Sequence, residues 1–324
     1  MKENKKMWIS WHFQSRTRDL ARALNVDLAE YFENQSLLKR HLFSSIWTIK
    51  LLLKRRPRIV FIQYSFLLLV ILSIYKLIMM GKVVIIVDTH TKALRRNISG
   101  IFNWIFGTIK RLSFKSVYLT IIPNVGLVKD LIKFHTNWLV FPGVIPELSY
   151  IKKINLTKKY CVYISSFAVD EPFEEMLEVS KLLADDDLNL FWTGKATAIV
   201  DKFRENFPNV IFTGFLSFTD YNDLIGNAEC LISLTYEEDC LQSGAREAIA
   251  VGVPIVTSDT KTLREYLGDS AVFTKINSEE IYNSIKYAIF NKEDFVKKIN
   301  LLKAVKKNDT AAQISHLRSL IDKL

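Results

Sequence analysis

The sequence of 324 residues contains few cysteines and few glycines. Its three cysteines (Cys161, Cys230 and Cys240) form no C-x-x-C pair, which argues against a disulfide framework or a zinc site and indicates a reducing compartment. The start of the chain lacks the apolar run and the cleavage site of a signal peptide, so we expect a cytoplasmic protein. No glycine precedes Gly81, so the first predicted strand cannot be followed by a glycine-rich phosphate-binding loop.

Hydrophobic residues make up 49% of the chain and charged residues 24%, which is typical of a globular protein, and the length suits two domains. The net charge is +10, and basic residues crowd the first half beside apolar and aromatic side chains. This mixture favours an anionic membrane surface. A solvated charged face is the alternative, and no recognised motif supports nucleic-acid binding. The basic residues are Lys39, Arg40, Lys50, Lys54, Arg55, Arg56, Arg58, Lys110, Arg111 and Lys115, and the aromatic residues are Trp47, Phe102, Trp104 and Phe106.

Short apolar runs alternate with helical patterns along the chain, which predicts an α/β fold with parallel sheets. The segment 142–146, with Pro-Gly at its start and Pro at its end, interrupts this pattern and marks a linker. We therefore expect a domain at 1–145, a second at 146–310 and an amphipathic helix at 311–324. Before the linker, the predicted strands are 7–11, 26–31, 59–64, 83–87, 117–122 and 137–141, and the helices are 17–24, 37–56, 66–80, 100–112 and 126–134. After it, strands are predicted at 160–165, 188–192, 210–213, 231–234, 254–256 and 271–273.

One segment, 59–80, is apolar over a length that could span a bilayer. Polar residues interrupt it, among them Gln63, Tyr64 and Lys76. A buried strand, a turn at 64–65 and an apolar helix account for the same residues. We expect this second arrangement rather than a membrane span, and such a helix could still place one face in lipid.

The most informative stretch is 231–259, which predicts a strand, a polar loop, a short helix and another strand. Ser243 is the expected N-cap of the helix and Gly252 its stop. Asp239 then lies in the loop and Glu247 in the first helical turn. The N–H groups at 243–245 would form an anion site at the helix start. A carboxylate beside an anion site suits a nucleotide sugar, whereas an ordinary Rossmann strand–loop–helix unit is the alternative.

The order Asp239-x7-Glu247, followed by Ala248, Ala250, Gly252 and Pro254, resembles the E-x7-E signature of glycosyltransferase family 4. The resemblance implies the GT-B architecture, in which two Rossmann-like domains face each other across a cleft and a C-terminal helix packs back on the first domain. It also implies that the first acid binds the hydroxyls of the donor sugar and the second binds the ribose diol. Asp239 replaces the usual first glutamate, and 240–242 replaces a glycine-rich run.

In the first domain, His90 follows a strand in the position of a family histidine that contacts the donor sugar. The resemblance therefore makes His90 and Asp239 the candidate catalytic residues. The loop after the first strand lies close to the diphosphate and the acceptor in family members. Because this chain has no glycine there, we expect the side chains of His12, Gln14 and Arg16 to act on the acceptor side. A capped turn with solvated cations is the alternative.

In the second domain, family members carry an arginine and a lysine in the loop after the first strand, where this chain has Ser166 but no cation. The departing diphosphate still needs positive charge, for which Lys195 is the first candidate and Arg246 the second. An ordinary surface cation is the alternative for Lys195. The resemblance gives the donor site a larger set of residues, and it implies no metal ion or other cofactor. These donor-binding candidates are Glu247, Lys195, Arg246, Gln242, Ser243, Gly244, Phe215, Leu216 and Ser166, of which Phe215 and Leu216 belong to the nucleobase turn.

Taken together, these residues predict a retaining glycosyltransferase that moves a sugar from a nucleotide sugar to a lipid-linked glycan of the polyprenyl-diphosphate type. Bacterial surface polysaccharide synthesis is the natural class, and the inner face of the plasma membrane is the expected location. A sugar-nucleotide 2-epimerase of GT-B fold is one alternative. The other is a non-enzymatic protein that binds a membrane surface or a polyanion. We expect an anionic membrane surface as a partner, and no nucleic acid.

Overall fold

The computed structural model describes residues 6–32, 36–90, 94–95, 101–152, 159–194, 207 and 209–324, with 101–103 described by their backbone only. The chain forms two compact units. The first consists of Met1–Val144 and Ala311–Leu324, and the second of Ile145–Thr310.

The first unit contains a six-stranded parallel sheet in the order β2-β1-β3-β4-β5-β6. Apolar clusters cover both of its faces, so its strands read as continuous apolar runs rather than as alternating ones. The strands are β1 Lys6–Ser10, β2 Asp27–Glu30, β3 Ile59–Gln63, β4 Val84–Asp88, β5 Val117–Ile122 and β6 Trp138–Val140. The helices are α1 Ser15–Leu24, α2 Leu37–Arg55, α3 Phe66–Ile78, α4 Ile101–Phe114 and α5 Val128–Leu131.

The low glycine content is visible at the helix ends of this unit. The helices α1 and α2 are followed by left-handed residues, Asn25 at a φ of 53° and Arg56 at a φ of 46°. Glycine is the usual residue at such positions, and asparagine is a common substitute. The C-terminal segment belongs to the same unit: Leu317 and Ile321 are buried in one of its apolar clusters, and Arg318 donates to the carbonyl of Ala23.

The apolar segment 59–80 folds as the strand β3, a short turn and the helix α3, which confirms the expected strand and helix. Across the residues that the structure describes, no helix combines the length and the apolar character that crossing a membrane requires.

The second unit contains another six-stranded parallel sheet, in the order β12-β11-β10-β7-β8-β9. The chain order reverses between β7 and β10, and ligands of open α/β sheets bind outside the carboxyl ends of the strands at such a point. The strands are β7 Tyr160–Tyr163, β8 Asn189–Thr193, β9 Val210–Gly214, β10 Cys230–Ser233, β11 Ile255–Ser258 and β12 Val272–Thr274. The helices are α6 Phe173–Asp185, α7 Phe218–Gly226, α8 Ser243–Val251, α9 Lys261–Leu267, α10 Ser278–Phe290 and α11 Lys292–Asp322, whose last residues lie in the first unit.

All twelve predicted strands are present, each ending within two residues of the expected positions. The α/β fold with two parallel sheets is therefore confirmed. The helix expected at 126–134 is wrong in extent, because only a 3-10 turn, Val125–Leu127, and the four-residue α5 form there. Glycine and β-branched residues at 125, 126 and 128 disfavour a longer helix.

Candidate functional site

The loop between β10 and α8 is fixed at the carboxyl edge of the second sheet by Gln242. Its amide nitrogen lies 2.8 Å from the carbonyl of Leu234, and its amide oxygen lies 3.2 Å from the hydroxyl of Ser233. The helix α8 begins at Ser243, so the N-cap position belongs to Gln242, and the expected Ser243 cap is wrong. Glu247 was expected in the first turn of α8. It is the fifth residue of that helix and therefore lies just beyond the first turn.

The start of α8 approaches the sheet closely because residue 244 is a glycine. A Cβ atom there would lie 2.6 Å from the Ser233 hydroxyl and 2.8 Å from the Ser233 Cβ, closer than real contacts allow. The first N–H groups of α8 (Ser243, Gly244 and Ala245) are thus held at the carboxyl edge of β10. Such N–H groups have no partner within their own helix and carry partial positive charge, which suits phosphate.

The carboxylate of Glu247 accepts a hydrogen bond from the Tyr221 phenol at 2.6 Å. Burial and the nearby Glu247 charge raise the pKa of Tyr221 well above that of an ordinary phenol, so the phenol keeps its proton and donates. Tyr221 belongs to α7, which follows the turn that carries Phe215 and Leu216. The Phe215 side chain is exposed there, as a residue that covers a nucleobase would have to be. The role of Tyr221 was not predicted from the sequence, since nothing in the spacing connects it with Glu247.

Asp239, a candidate catalytic residue, and Arg246, a donor-binding candidate, are both buried, each with 6% exposure. Asp239 lies in the β10–α8 loop and Arg246 on α8, next to Glu247. Lys195, the first candidate for the diphosphate, lies outside the described residues.

The loop after β7 is closed around a carboxylate, that of Glu171. It accepts from the Ser165 hydroxyl at 2.6 Å, from the Ser166 hydroxyl at 2.8 Å and from the Ser166 amide at 3.0 Å. The amide of Ala168 donates to it at 3.3 Å. Ser166 was expected to bind the donor substrate. Its hydroxyl and its amide are instead hydrogen-bonded to Glu171 inside the loop.

In the first unit, the structure brings together two of the predicted site residues. The His90 Nε2 atom lies 3.1 Å from the Gln14 Oε1 atom, so the loops after β1 and β4 meet at this hydrogen bond. His12 lies in the same loop as Gln14, and its carbonyl is 2.6 Å from the Ser10 hydroxyl. Partial burial, with smaller effects of Arg40 and His41, lowers the pKa of His12.

Arg16, which was expected on the acceptor side, is buried in the first unit. It forms a buried ion pair with Asp88, in which Arg16 Nη2 lies 2.9 Å and Nε 3.1 Å from the carboxylate oxygens. Its remaining donors reach the carbonyls of Phe141 and Pro142, each at 2.8 Å. The guanidinium therefore ties the start of α1 to the end of β4 and to the segment that follows β6. Burial accounts for this pairing, because a buried charge needs a partner, and the role of Arg16 on the acceptor side stays a prediction.

Residues 158–291 match the sequence profile of the family described as glycosyl transferases group 1. The matched segment contains Asp239, Glu247 and Tyr221, together with the Phe215 turn. No sequence among curated proteins matches the chain.

Solved structures with the same fold cover nearly the whole chain. Anabaena Alr3699/HepE, solved in complex with UDP-glucose, is 12% identical, with a TM-score of 0.68 over 98% of this chain and 92% of that chain. WaaG, a glycosyltransferase involved in lipopolysaccharide biosynthesis, is 13% identical, with a TM-score of 0.67 over 97% of this chain and 99% of that chain. A UDP-N-acetylglucosamine 2-epimerase is 12% identical, with a TM-score of 0.57 over 97% and 95%.

These similarities confirm the expected GT-B fold. The expected enzyme class, a glycosyltransferase, is borne out by the domain match over residues 158–291.

Proposed function

We propose that the protein is a retaining glycosyltransferase that transfers a sugar from a nucleotide sugar to a lipid-linked glycan at the inner face of the plasma membrane. The observation that carries the proposal is the arrangement at α8. Within the glycosyltransferase domain, a helix N-terminus is held against the edge of β10, and the carboxylate of Glu247 follows one turn later. A helix N-terminus suits a phosphate group, and a carboxylate suits the hydroxyls of a ribose diol.

Each group then has a definite chemical task. Glu247 accepts hydrogen bonds from the ribose diol, and the N–H groups at the start of α8 stabilise the phosphate as negative charge develops on it. We assign Asp239 to the hydroxyls of the donor sugar. Arg246, and Lys195 outside the described residues, are the candidate cations for the diphosphate. No metal ion is part of the proposal.

In the first unit, we assign His90 to the reacting sugar, with Gln14 holding its imidazole in place. In the retaining mechanism that we propose, the acceptor hydroxyl gives its proton to the departing phosphate, so no side chain has to act as general base. Catalysis then depends on positioning and on charge stabilisation.

An epimerase is the second candidate, and the fold shared with a UDP-N-acetylglucosamine 2-epimerase favours it. The two activities differ in what happens to the donor. A transferase releases nucleoside diphosphate, whereas an epimerase returns an intact nucleotide sugar of changed configuration. Incubation of the protein with single nucleotide sugars, followed by ³¹P and ¹H NMR, separates them. We expect slow release of nucleoside diphosphate that speeds up with a lipid-linked glycan extract, and accumulation of an epimer would contradict the proposal.

The proposed membrane contact is supported by the surface of three helices, α2, α3 and α4. The helix α2 packs on α3, and α3 packs on α4. Over residues 34–129 the only acidic residue is Asp88, which is buried against Arg16. The same stretch has 16 basic residues: Lys39, Arg40, Lys50, Lys54, Arg55, Arg56, Arg58, Lys76, Lys82, Lys92, Arg95, Arg96, Lys110, Arg111, Lys115 and Lys129.

Large apolar side chains stand exposed on the same helices or directly after them. The exposed fraction is 83% for Leu38, 77% for Leu77, 84% for Met80 and 75% for Trp104. Basic side chains alone would also suit a nucleic acid, but no recognised nucleic-acid-binding motif accompanies them in this sequence. Their combination fits the headgroup and acyl regions of an anionic bilayer.

Flotation with liposomes tests this contact. Binding should require anionic lipid and weaken with salt, and replacement of Lys54, Arg55 and Arg56 by glutamine should reduce it, since each such charge contributes about 1 kcal/mol near the surface. The matched control replaces three exposed lysines of the second unit by glutamine, and it should bind like the wild type. Wild-type protein that ignores anionic liposomes at low salt would contradict the membrane contact. The control lysines are Lys261, Lys297 and Lys307.

A further inference from the structure

The helix α7 connects the turn expected to cover the nucleobase with the carboxylate expected to bind the ribose. Its N-cap is Ser217, whose side chain accepts from the amide of Asp220 at 3.1 Å. One turn along the helix, the Tyr221 amide donates to the Ser217 carbonyl at 2.9 Å, and the Tyr221 phenol reaches Glu247 at 2.6 Å. A short rigid element thus joins the residues 214–217 to Glu247.

Both partners of this hydrogen bond are held in place by packing. The Tyr160 phenol donates to the Leu224 carbonyl at 3.0 Å, and Ile225 is fully buried, which fixes the second half of α7. On the other side, Gly244 lets α8 lie directly against Ser233. Neither helix can move without disturbing the core, so the Tyr221 phenol determines where the Glu247 carboxylate lies.

We propose that Tyr221 is a positioning residue, which holds Glu247 for the ribose diol and thereby sets the preference of the protein for ribonucleotides. The inference rests on the proposed function, since it takes a nucleotide sugar as the ligand. Tyr221 need not contact the nucleotide itself. Tyr221 acts through the Glu247 carboxylate. Its loss should therefore weaken the recognition of the ribose hydroxyls and leave the recognition of the phosphates unchanged.

The test is the removal of one oxygen atom by Tyr221→Phe. Uridine, guanosine and adenosine diphosphates and their 2′-deoxy forms are titrated by calorimetry against wild type and variant. For the base that the wild type binds, we expect the ribonucleotide to lose about threefold to tenfold in affinity, as for a single hydrogen bond, and the 2′-deoxy form to lose less than about twofold. The ratio of the two affinities therefore falls, a change that general loosening of the structure would not produce.

Tyr282→Phe is the matched control. The Tyr282 phenol also donates to a carboxylate, that of Asp186 at 2.7 Å, but this pair lies at the amino end of β8 and not at the carboxyl edge of the sheet. It should leave both affinities unchanged. In a Glu247→Gln background, Tyr221→Phe should change the ratio no further, since its effect passes through the carboxylate. An unchanged ratio in Tyr221→Phe, with tight ribonucleotide binding by the wild type, would overturn this inference alone. Absence of nucleotide binding by the wild type would contradict the proposed function as well.

Discussion

At the scale of single residues, histidines occupy different environments in the first unit. His90 is partly exposed and shares a hydrogen bond with Gln14 in a loop after a strand end. His135 ties its segment to β5, with Nδ1 at 3.0 Å from the Thr120 hydroxyl and Nε2 at 3.1 Å from the Val117 carbonyl. The first environment suits contact with a ligand and the second suits stability.

His90→Ala should lower turnover at least tenfold and leave the binding of nucleoside diphosphate within about twofold, since the imidazole is assigned to the sugar and general positioning groups contribute on this scale. Turnover is measured by nucleoside diphosphate release and binding by calorimetry. His135→Gln, which removes a histidine hydrogen-bonded to Thr120 and Val117, is the control. Equal losses of turnover and of nucleotide affinity in His90→Ala would show that His90 is structural.

His135 should also make stability depend on pH. Burial lowers its pKa, against a smaller opposite effect of the Val117 carbonyl. The unfolded chain, with a pKa of about 6.5, binds this proton at higher pH than the folded chain. The contribution of neutral His135 to the free energy of unfolding is therefore fully present above about pH 6.5, and it is lost as the pH falls through the pKa of His135 in the folded protein. When the pH is lowered from 7.5 to 5.5, the melting temperature should fall less in His135→Gln than in the wild type. An identical dependence of melting temperature on pH in the two proteins would refute this.

At the scale of elements, Arg16 joins the start of α1 to the end of β4 through its ion pair with Asp88, and to the segment after β6 through the Phe141 carbonyl. Breaking a buried pair leaves an uncompensated charge, so Asp88→Asn should lower the free energy of unfolding by about 3–5 kcal/mol. The control is Glu30→Gln at the more exposed pair with Arg18, where a loss below about 1 kcal/mol is expected. Urea denaturation followed by tryptophan fluorescence measures both. Equal losses in the two variants would contradict the structural role of Arg16.

The strands could be predicted from the sequence because apolar runs of four to six residues lie between helical patterns and turn residues. The role of Arg16 could not, since its partner Asp88 is 72 residues away and no local pattern connects them. The contact between Tyr221 and Glu247 could not be predicted for the same reason, because the two residues are 26 positions apart in the sequence. His90 and Gln14 were predicted only as separate candidates, and the parallel order of β1, β3 and β4 explains how their loops meet.

At the scale of the whole molecule, chemistry and charge are distributed unequally between the units. The second unit contains the glycosyltransferase domain with Glu247 and the α8 N-terminus. The first contains the stretch 34–129, with its 16 basic residues and one acid. This unequal distribution suits a protein that binds a soluble anionic donor and also an acceptor embedded in an anionic membrane.

The most direct test of this account is calorimetric titration of the whole protein with nucleoside diphosphates and nucleotide sugars, for the wild type and Glu247→Ala. The account predicts saturable binding of at least one nucleotide, weakened in Glu247→Ala by roughly 1.5–3 kcal/mol, the contribution of hydrogen bonds to a charged group. Glu265→Ala, which removes an exposed glutamate on α9, should bind like the wild type. A folded wild-type protein that binds no nucleotide, or a Glu247→Ala variant that binds with unchanged affinity, would contradict it.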